Sequence, residues 1–79
     1  MIRLTYWGID SMNRPIFKRL GSKAMYGCTD TLFPRDASEA EVLEKISIED
    51  IVWFGWKPDC EPEGTLPHEP IEMVLNESL

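Results

Sequence analysis

The dipeptide Gly21-Ser22 is the feature that most constrains how this chain folds. It lies between two runs suited to β-strands, residues 16–20 and 23–27. A two-residue hairpin loop of type II′ needs a positive φ at its first central position, which glycine adopts at little steric cost. In this register Phe17 faces Tyr26, and an aromatic pair across two strands helps to fix their alignment. The sequence therefore predicts an antiparallel hairpin.

Three further segments show patterns of regular structure. Residues 2–7 alternate apolar and polar positions, as a half-buried strand does, although the last polar position is occupied by Trp7. Ser38 followed three residues later by Glu41 is a capping box, which predicts a helix over residues 38–46. Ser47 and Asp50 form an S-x-x-D cap that favours a helix, but residues 51–56 are rich in β-branched and aromatic residues, which favour a strand. A short helix over residues 48–56 is therefore only slightly favoured over a strand.

The C-terminal part of the chain is rich in proline. Four of the six prolines fall within residues 58–70, which excludes a regular helix and favours extended chain. Residues 71–75 suit a short edge strand, and residues 76–79 are expected to fray. The predicted fold class is α+β: a small three-stranded antiparallel sheet, one packed helix, a second short helix or strand, and an extended proline-rich C-terminal segment.

Charge divides the chain into unequal halves. A length of 79 residues suits a single small domain, in which we distinguish a basic β-meander (1–35), an acidic helical part (36–56) and a proline-rich acidic segment (57–79). The first 35 residues hold six bases and two acids, and the remainder holds twelve acids and two bases. Either the halves neutralise each other by packing, or one of them faces a partner.

Residues with catalytic or metal-binding chemistry do not form a recognisable set. The single histidine, His68, lies in a proline-rich acidic segment without a nucleophile motif. Cys28 and Cys60 are far apart in the chain and lack the C-x₂₋₄-C spacing of a structural zinc site. The sequence therefore predicts a protein that is not an enzyme and has no catalytic residue, cofactor or metal site.

Two observations bear on the compartment. No apolar run approaches the roughly 20 residues of a membrane-spanning helix, and we expect no membrane partner. Two cysteines are too few for a disulfide-dense secreted scaffold, which favours free thiols in a reducing compartment. A cytoplasmic location is therefore expected.

The acidic half predicts a protein-binding surface. A carboxylate-rich helix and tail can occupy a basic groove, and tryptophan is enriched among the residues that anchor interfaces. The predicted surface comprises six acids and two tryptophans: Glu39, Glu41, Glu44, Trp53, Trp56, Asp59, Glu61 and Glu63. The expected partner is a protein with a basic surface, whose association charge complementarity would accelerate. A homo-oligomer is also compatible with the sequence.

The basic half supports an alternative, a nucleic-acid-binding module built on the hairpin. Its candidate contacts are four cations within residues 14–23: Arg14, Lys18, Arg19 and Lys23. Proteins that bind single strands combine such cations with aromatic side chains on which bases stack. Four aromatic residues lie close to these cations in the sequence and either serve this purpose or form the core: Tyr6, Trp7, Phe17 and Tyr26. A net charge of −6 opposes binding of a polyanion unless the acids are segregated, so nucleic acid is the less favoured partner.

Two stretches resemble motifs of very small proteins of phages and bacterial mobile elements. Residues 8–18, GIDSMNRPIFK, resemble the pattern G-x-D-x-x-x-R-P-[VI]-[FY] that opens such proteins. Residues 58–67, PDCEPEGTLP, resemble a G-E-P-type motif that closes many of them, with Cys60 where they have glycine. The resemblance implies an accessory protein of a phage or mobile element in the cytoplasm of a bacterial host, and not an activity. In that setting small acidic proteins are often inhibitors, including ones of the anti-defence type, that bind a host protein. The resemblance transfers no catalytic residue.

Overall fold

Five strands and one helix make up the part of the chain that the computed structural model describes, residues 1–56 and 69–79. The elements are β1 (Ile2–Ile9), β2 (Pro15–Arg19), β3 (Met25–Gly27), α1 (Glu39–Lys45), β4 (Val52–Gly55) and β5 (Ile71–Met73). Short 3₁₀ turns precede β4 (Ile48–Asp50) and follow β5 (Asn76–Ser78). Within the described residues, no helix has the length and apolar character needed to cross a membrane.

All five strands belong to one mixed sheet with the order β4-β3-β2-β1-β5. Strands β1 to β4 pair antiparallel with their neighbours, and β5 pairs parallel with β1. The predicted three-stranded antiparallel sheet is therefore wrong. The prediction omitted β4, because residues 48–56 form a 3₁₀ turn and then a strand, whereas a helix was slightly favoured. It expected a strand near residues 71–75 but did not include its parallel pairing with β1.

The predicted hairpin is confirmed in its register, since Phe17 lies opposite Tyr26. Its turn differs from the prediction. The Ser22 N–H donates to the Arg19 carbonyl at 3.3 Å, and Gly21, with φ of +79°, is the third residue of that turn. A positive φ at the third position is the requirement of a type II turn, so glycine is needed here for a different turn type.

The predicted helix is also confirmed. Ser38 caps α1, and its Oγ accepts the Glu41 N–H at 3.2 Å. Val42 is fully buried and joins the main core on one face of the sheet. That core contains side chains from the sheet, the helix and the loops: Ile2, Leu4, Phe17, Ala24, Tyr26, Cys28, Phe33, Val42 and Ile51. We call this side of the sheet the helix face.

A smaller apolar cluster lies on the other side, which we call the outer face. It comprises Ile16, Met25 and Phe54, with Val52 packed against it. The Phe54 ring lies so close to Gly27 that a Cβ at this glycine would come within 2.9 Å of it, and within 2.8 Å of the Pro15 carbonyl oxygen. No side chain other than hydrogen fits at residue 27 without moving the backbone.

A buried ion pair organises the loop between β1 and β2. The Arg14 Nε donates to Asp10 Oδ2 at 2.7 Å, and both side chains are almost fully buried. Asp10 Oδ1 also accepts the backbone N–H groups of Met12 and Arg14, at 3.0 and 2.8 Å. The Arg14 guanidinium lies 4.6 Å from the centre of the Phe54 ring, a cation–π contact. The pair therefore joins this loop to β4.

We predict that Asp10→Asn lowers the free energy of unfolding by about 3 kcal/mol, since removing one partner of a buried ion pair typically costs 3–5 kcal/mol. The asparagine can still accept backbone hydrogen bonds but brings no charge to the guanidinium. Urea denaturation followed by circular dichroism measures the loss. Glu44→Gln on the exposed side of α1 is the control and should change stability by less than about 0.5 kcal/mol. Equal midpoints for the two variants would contradict a structural role for the pair.

Candidate functional site

Trp7 lies on the outer face of the sheet, at a bulge in β1. Tyr6 pairs with Phe17 and Gly8 with Ile16, so Trp7 is the extra residue between them. A bulge bends the strand and re-aims a side chain. Tyr6 stays on the helix face, packed against the main core, whereas the Trp7 side chain is 56% exposed. A large aromatic side chain is thus displayed on β1, the strand next to the edge strand β5.

A cation lies against this tryptophan. Lys18 is opposite Thr5 in the β1–β2 ladder, and its Nζ lies 5.7 Å from the centre of the Trp7 ring. An exposed ammonium at this distance gains about 0.5–1 kcal/mol from the ring. The pair presents a positive charge and a flat π-surface side by side.

Trp7 and Lys18 both line a larger depression of about 590 Å³. Its walls are β1, the hairpin turn and the C-terminal 3₁₀ turn, and its charged side chains among the described residues are Lys18, Arg19 and Lys23. No aspartate or glutamate lines it within residues 1–56 and 69–79. This volume lies within the range of pockets that hold small organic ligands.

A smaller depression of about 200 Å³ adjoins the larger one. Trp7, Lys18 and Lys23 line both, and Met25 and Trp56 complete the smaller one. Trp56 is 63% exposed and meets Trp53 edge to face, with ring centres 5.6 Å apart. Gly55, with φ of +105°, turns the chain out of β4 immediately before Trp56. The described lining of the smaller depression is again free of acids.

The acids of α1 lie on the opposite side of the sheet. Glu39 and Glu41 raise the pKa of Tyr6, after the larger effect of burial, which shows that their field acts on the helix face. Both glutamates are also engaged within the chain: Glu41 in the capping box and Glu39 with Asn76. The helix acids thus belong to the helix face, except that Glu39 reaches Asn76, which lines the larger depression.

Asn76 fastens the C-terminal turn beside the larger depression. Its Nδ2 donates to the Tyr6 carbonyl at 3.1 Å and to Glu39 Oε2 at 3.0 Å, and its Oδ1 accepts the Thr5 hydroxyl at 2.8 Å. Val74 N–H continues the β1–β5 ladder by donating to Leu4 O at 2.7 Å. Residues 76–79, expected to fray, are thus held against β1 where β5 ends.

The structure separates the four cations predicted for nucleic-acid binding. Lys18, Arg19 and Lys23 come together around the larger depression. Arg14 is 7% exposed and is committed to Asp10 and Phe54. Of the four aromatic residues noted near these cations, only Trp7 lies beside them on the outer face, whereas Tyr6, Phe17 and Tyr26 belong to the main core. Met25 was not among the predicted site residues.

The structure also divides the residues predicted for protein binding. Glu39, Glu41 and Glu44 lie on α1, and Trp53 packs half-buried against the main core. Trp56 lies instead with the cations of the smaller depression. Asp59, Glu61 and Glu63 fall outside the described residues, as do Cys60 and His68. Binding of a basic host protein by this set stays a prediction.

Cys28 is a buried, free thiol of the main core. Burial raises its pKa to about 12, with smaller contributions from Asp50 and Asp30. Because the thiolate is the nucleophilic form, this environment suits packing and opposes reactivity. Cys28 therefore supplies no chemistry to the outer face.

Comparison with known proteins identifies no relative: no family model, no curated protein and no solved structure matches the chain. A function for the outer face therefore has to follow from its own geometry and charge.

We predict that Cys28 resists alkylation in the folded protein. With a pKa of about 12, roughly one thiol in 10⁴ is ionised at pH 8. In a Cys60→Ser variant, which leaves one cysteine, iodoacetamide at pH 8 should leave the folded protein unmodified by mass spectrometry and should modify it fully in concentrated urea. Rapid modification without urea would contradict the buried position.

Proposed function

We propose that this protein binds single-stranded nucleic acid on the outer face of its sheet. The observation that carries the proposal is the continuity of the two depressions, which share Trp7, Lys18 and Lys23 and have no acidic side chain among their described lining residues. Proteins that bind single strands combine a cationic groove with aromatic stacking platforms. This proposal takes up the hypothesis that the sequence placed second.

The arrangement suits a single strand better than a duplex. Stacking on tryptophan requires a base whose face is exposed, and in a duplex both faces of each base are covered by its neighbours. A base stacked on an aromatic side chain contributes about 1–3 kcal/mol. Trp7 and Trp56 are both more than half exposed, so each offers a surface for such a contact.

The negative net charge of the chain does not prevent this binding. Glu41 and Glu44 lie on the helix, across the sheet from the smaller depression, and the shortest dimension of the molecule is 20 Å. Glu39 comes closer, but its carboxylate is engaged by the backbone and side-chain N–H groups of Asn76. Interactions between exposed charges are largely screened beyond a Debye length of about 8 Å at physiological ionic strength. A strand on the outer face would therefore respond mainly to the nearby cations.

The three cations set the expected salt dependence. If Lys18, Arg19 and Lys23 each neutralise one phosphate of a single strand, log Kobs falls with log[salt] with a slope of about −2, from roughly −0.7 per phosphate. Lys18→Ala should reduce the steepness by about 0.7. Fluorescence anisotropy with labelled 12-nucleotide oligo-dT and oligo-U measures both quantities.

The aromatic contribution is tested by Trp7→Ala. We expect its affinity for the same oligonucleotides to fall by about 5- to 150-fold, which corresponds to the loss of one stacking contact of 1–3 kcal/mol. Lys45→Ala, at the end of α1, is the matched control for Lys18→Ala and should bind as the unsubstituted protein does. No binding at tens of micromolar protein in low salt, or binding indifferent to both outer-face substitutions, would overturn the proposal.

A further inference from the structure

The two depressions differ in volume and in lining residues, and this difference indicates the size of the ligand. Resting on the proposed function, we infer that the outer face recognises a unit of two adjacent nucleotides, with one base in each depression. A uniform cationic groove would instead bind a strand along its length. The inference follows from which residues the depressions share and which belong to one of them alone.

The smaller depression has the character of a base-stacking subsite. Its volume of about 200 Å³ is lined by two indole rings, one thioether and the stems of two lysines. Trp56 is held edge-on by Trp53, which limits its orientations before a ligand arrives. Side chains ordered in advance lose less entropy when they bind. Aromatic walls at this scale suit a flat heterocycle.

The larger depression has room and polar groups for a whole nucleotide. Its volume of about 590 Å³ is nearly three times that of the smaller one. Arg19, Leu20 and Asn76 line the larger depression but not the smaller one. An arginine in this position suits a phosphate, since its planar guanidinium can donate two parallel hydrogen bonds to phosphate oxygens.

The shared residues define the junction between the two subsites. Trp7, Lys18 and Lys23 line both depressions, so these three residues form their common wall. A dinucleotide with one base on each side would bring its linking phosphate to one of these lysines, and in a longer strand the other lysine would meet the next phosphate. The terminal phosphate of the dinucleotide would then lie toward Arg19. The lining residues thus account for two bases and two phosphates.

The test is a length series in competition format. Unlabelled oligo-dT and oligo-U of one, two, three, six and twelve nucleotides, each with a terminal phosphate, displace a labelled 12-nucleotide strand from the full chain. We expect affinity to rise at least tenfold from one nucleotide to two. Beyond three nucleotides it should rise only a few-fold, because a longer strand adds binding registers and few contacts. Parallel series compare DNA with RNA.

Trp56→Ala isolates the smaller subsite. It should abolish the tenfold step from one nucleotide to two while changing mononucleotide affinity less than twofold. Trp56→Phe keeps an aromatic ring and should restore most of the step. Leu32→Ala removes an exposed apolar side chain that lines neither depression and serves as the control for surface truncation. Circular dichroism spectra confirm that each variant is folded.

The outcomes separate the two proposals. If no oligonucleotide of any length competes and the labelled strand does not bind, nucleic-acid binding itself is overturned. If affinity climbs steeply from two to twelve nucleotides, or does not rise between one and two, strand binding stands and the two-nucleotide unit is overturned. A step at two nucleotides that survives Trp56→Ala also overturns it, because the second base would then lie elsewhere.

Discussion

The buried ion pair between Asp10 and Arg14 is the interaction on which the outer face depends. The Asp10 carboxylate accepts the Arg14 guanidinium and two backbone N–H groups of the same loop, so it satisfies a buried charge and shapes the turn at once. The guanidinium lies over Phe54, whose ring lies against Gly27. One arginine thereby joins the β1–β2 loop to β3 and β4. In a domain whose total stability is typically 5–15 kcal/mol, losing this link would cost a large share.

Two aromatic residues of the outer face lie at irregularities in the ladders. Trp7 is the extra residue of the bulge in β1, and Phe54 lies at a second register shift, where β4 meets β3. Phe54 joins the buried outer cluster, whereas Trp7 remains exposed and meets Lys18. Gly55 then turns Trp56 toward the same depression. The sheet positions cations and aromatic rings together, while α1 keeps its acids on the helix face.

Part of the candidate site was predictable from the sequence. The cations of the hairpin are adjacent in the chain, and an antiparallel hairpin necessarily brings Lys18 and Lys23 near one another. The absence of Arg14 from the cationic site was not predictable, because the sequence does not show whether an arginine side chain faces solvent or a buried carboxylate. Trp56 was assigned to the acidic surface because acids follow it in the sequence, whereas in the structure it lines the smaller depression with Lys18 and Lys23.

The elements whose stabilising contacts are local could be predicted from the sequence. The hairpin follows from a glycine at the turn and an aromatic pair across it, and α1 follows from a capping box that spans four residues. Strand β4, the parallel pairing of β5 with β1, and the burial of Arg14 against Asp10 became apparent only in the tertiary structure. The pairing of residues 2–4 with 71–73 depends on a contact between distant parts of the chain, and no local propensity specifies a partner so far away. The same holds for charge, because the fold places Glu72 beside Arg3 and Glu39 beside Asn76, whereas Lys18 and Lys23 line depressions without an acidic side chain among the described residues.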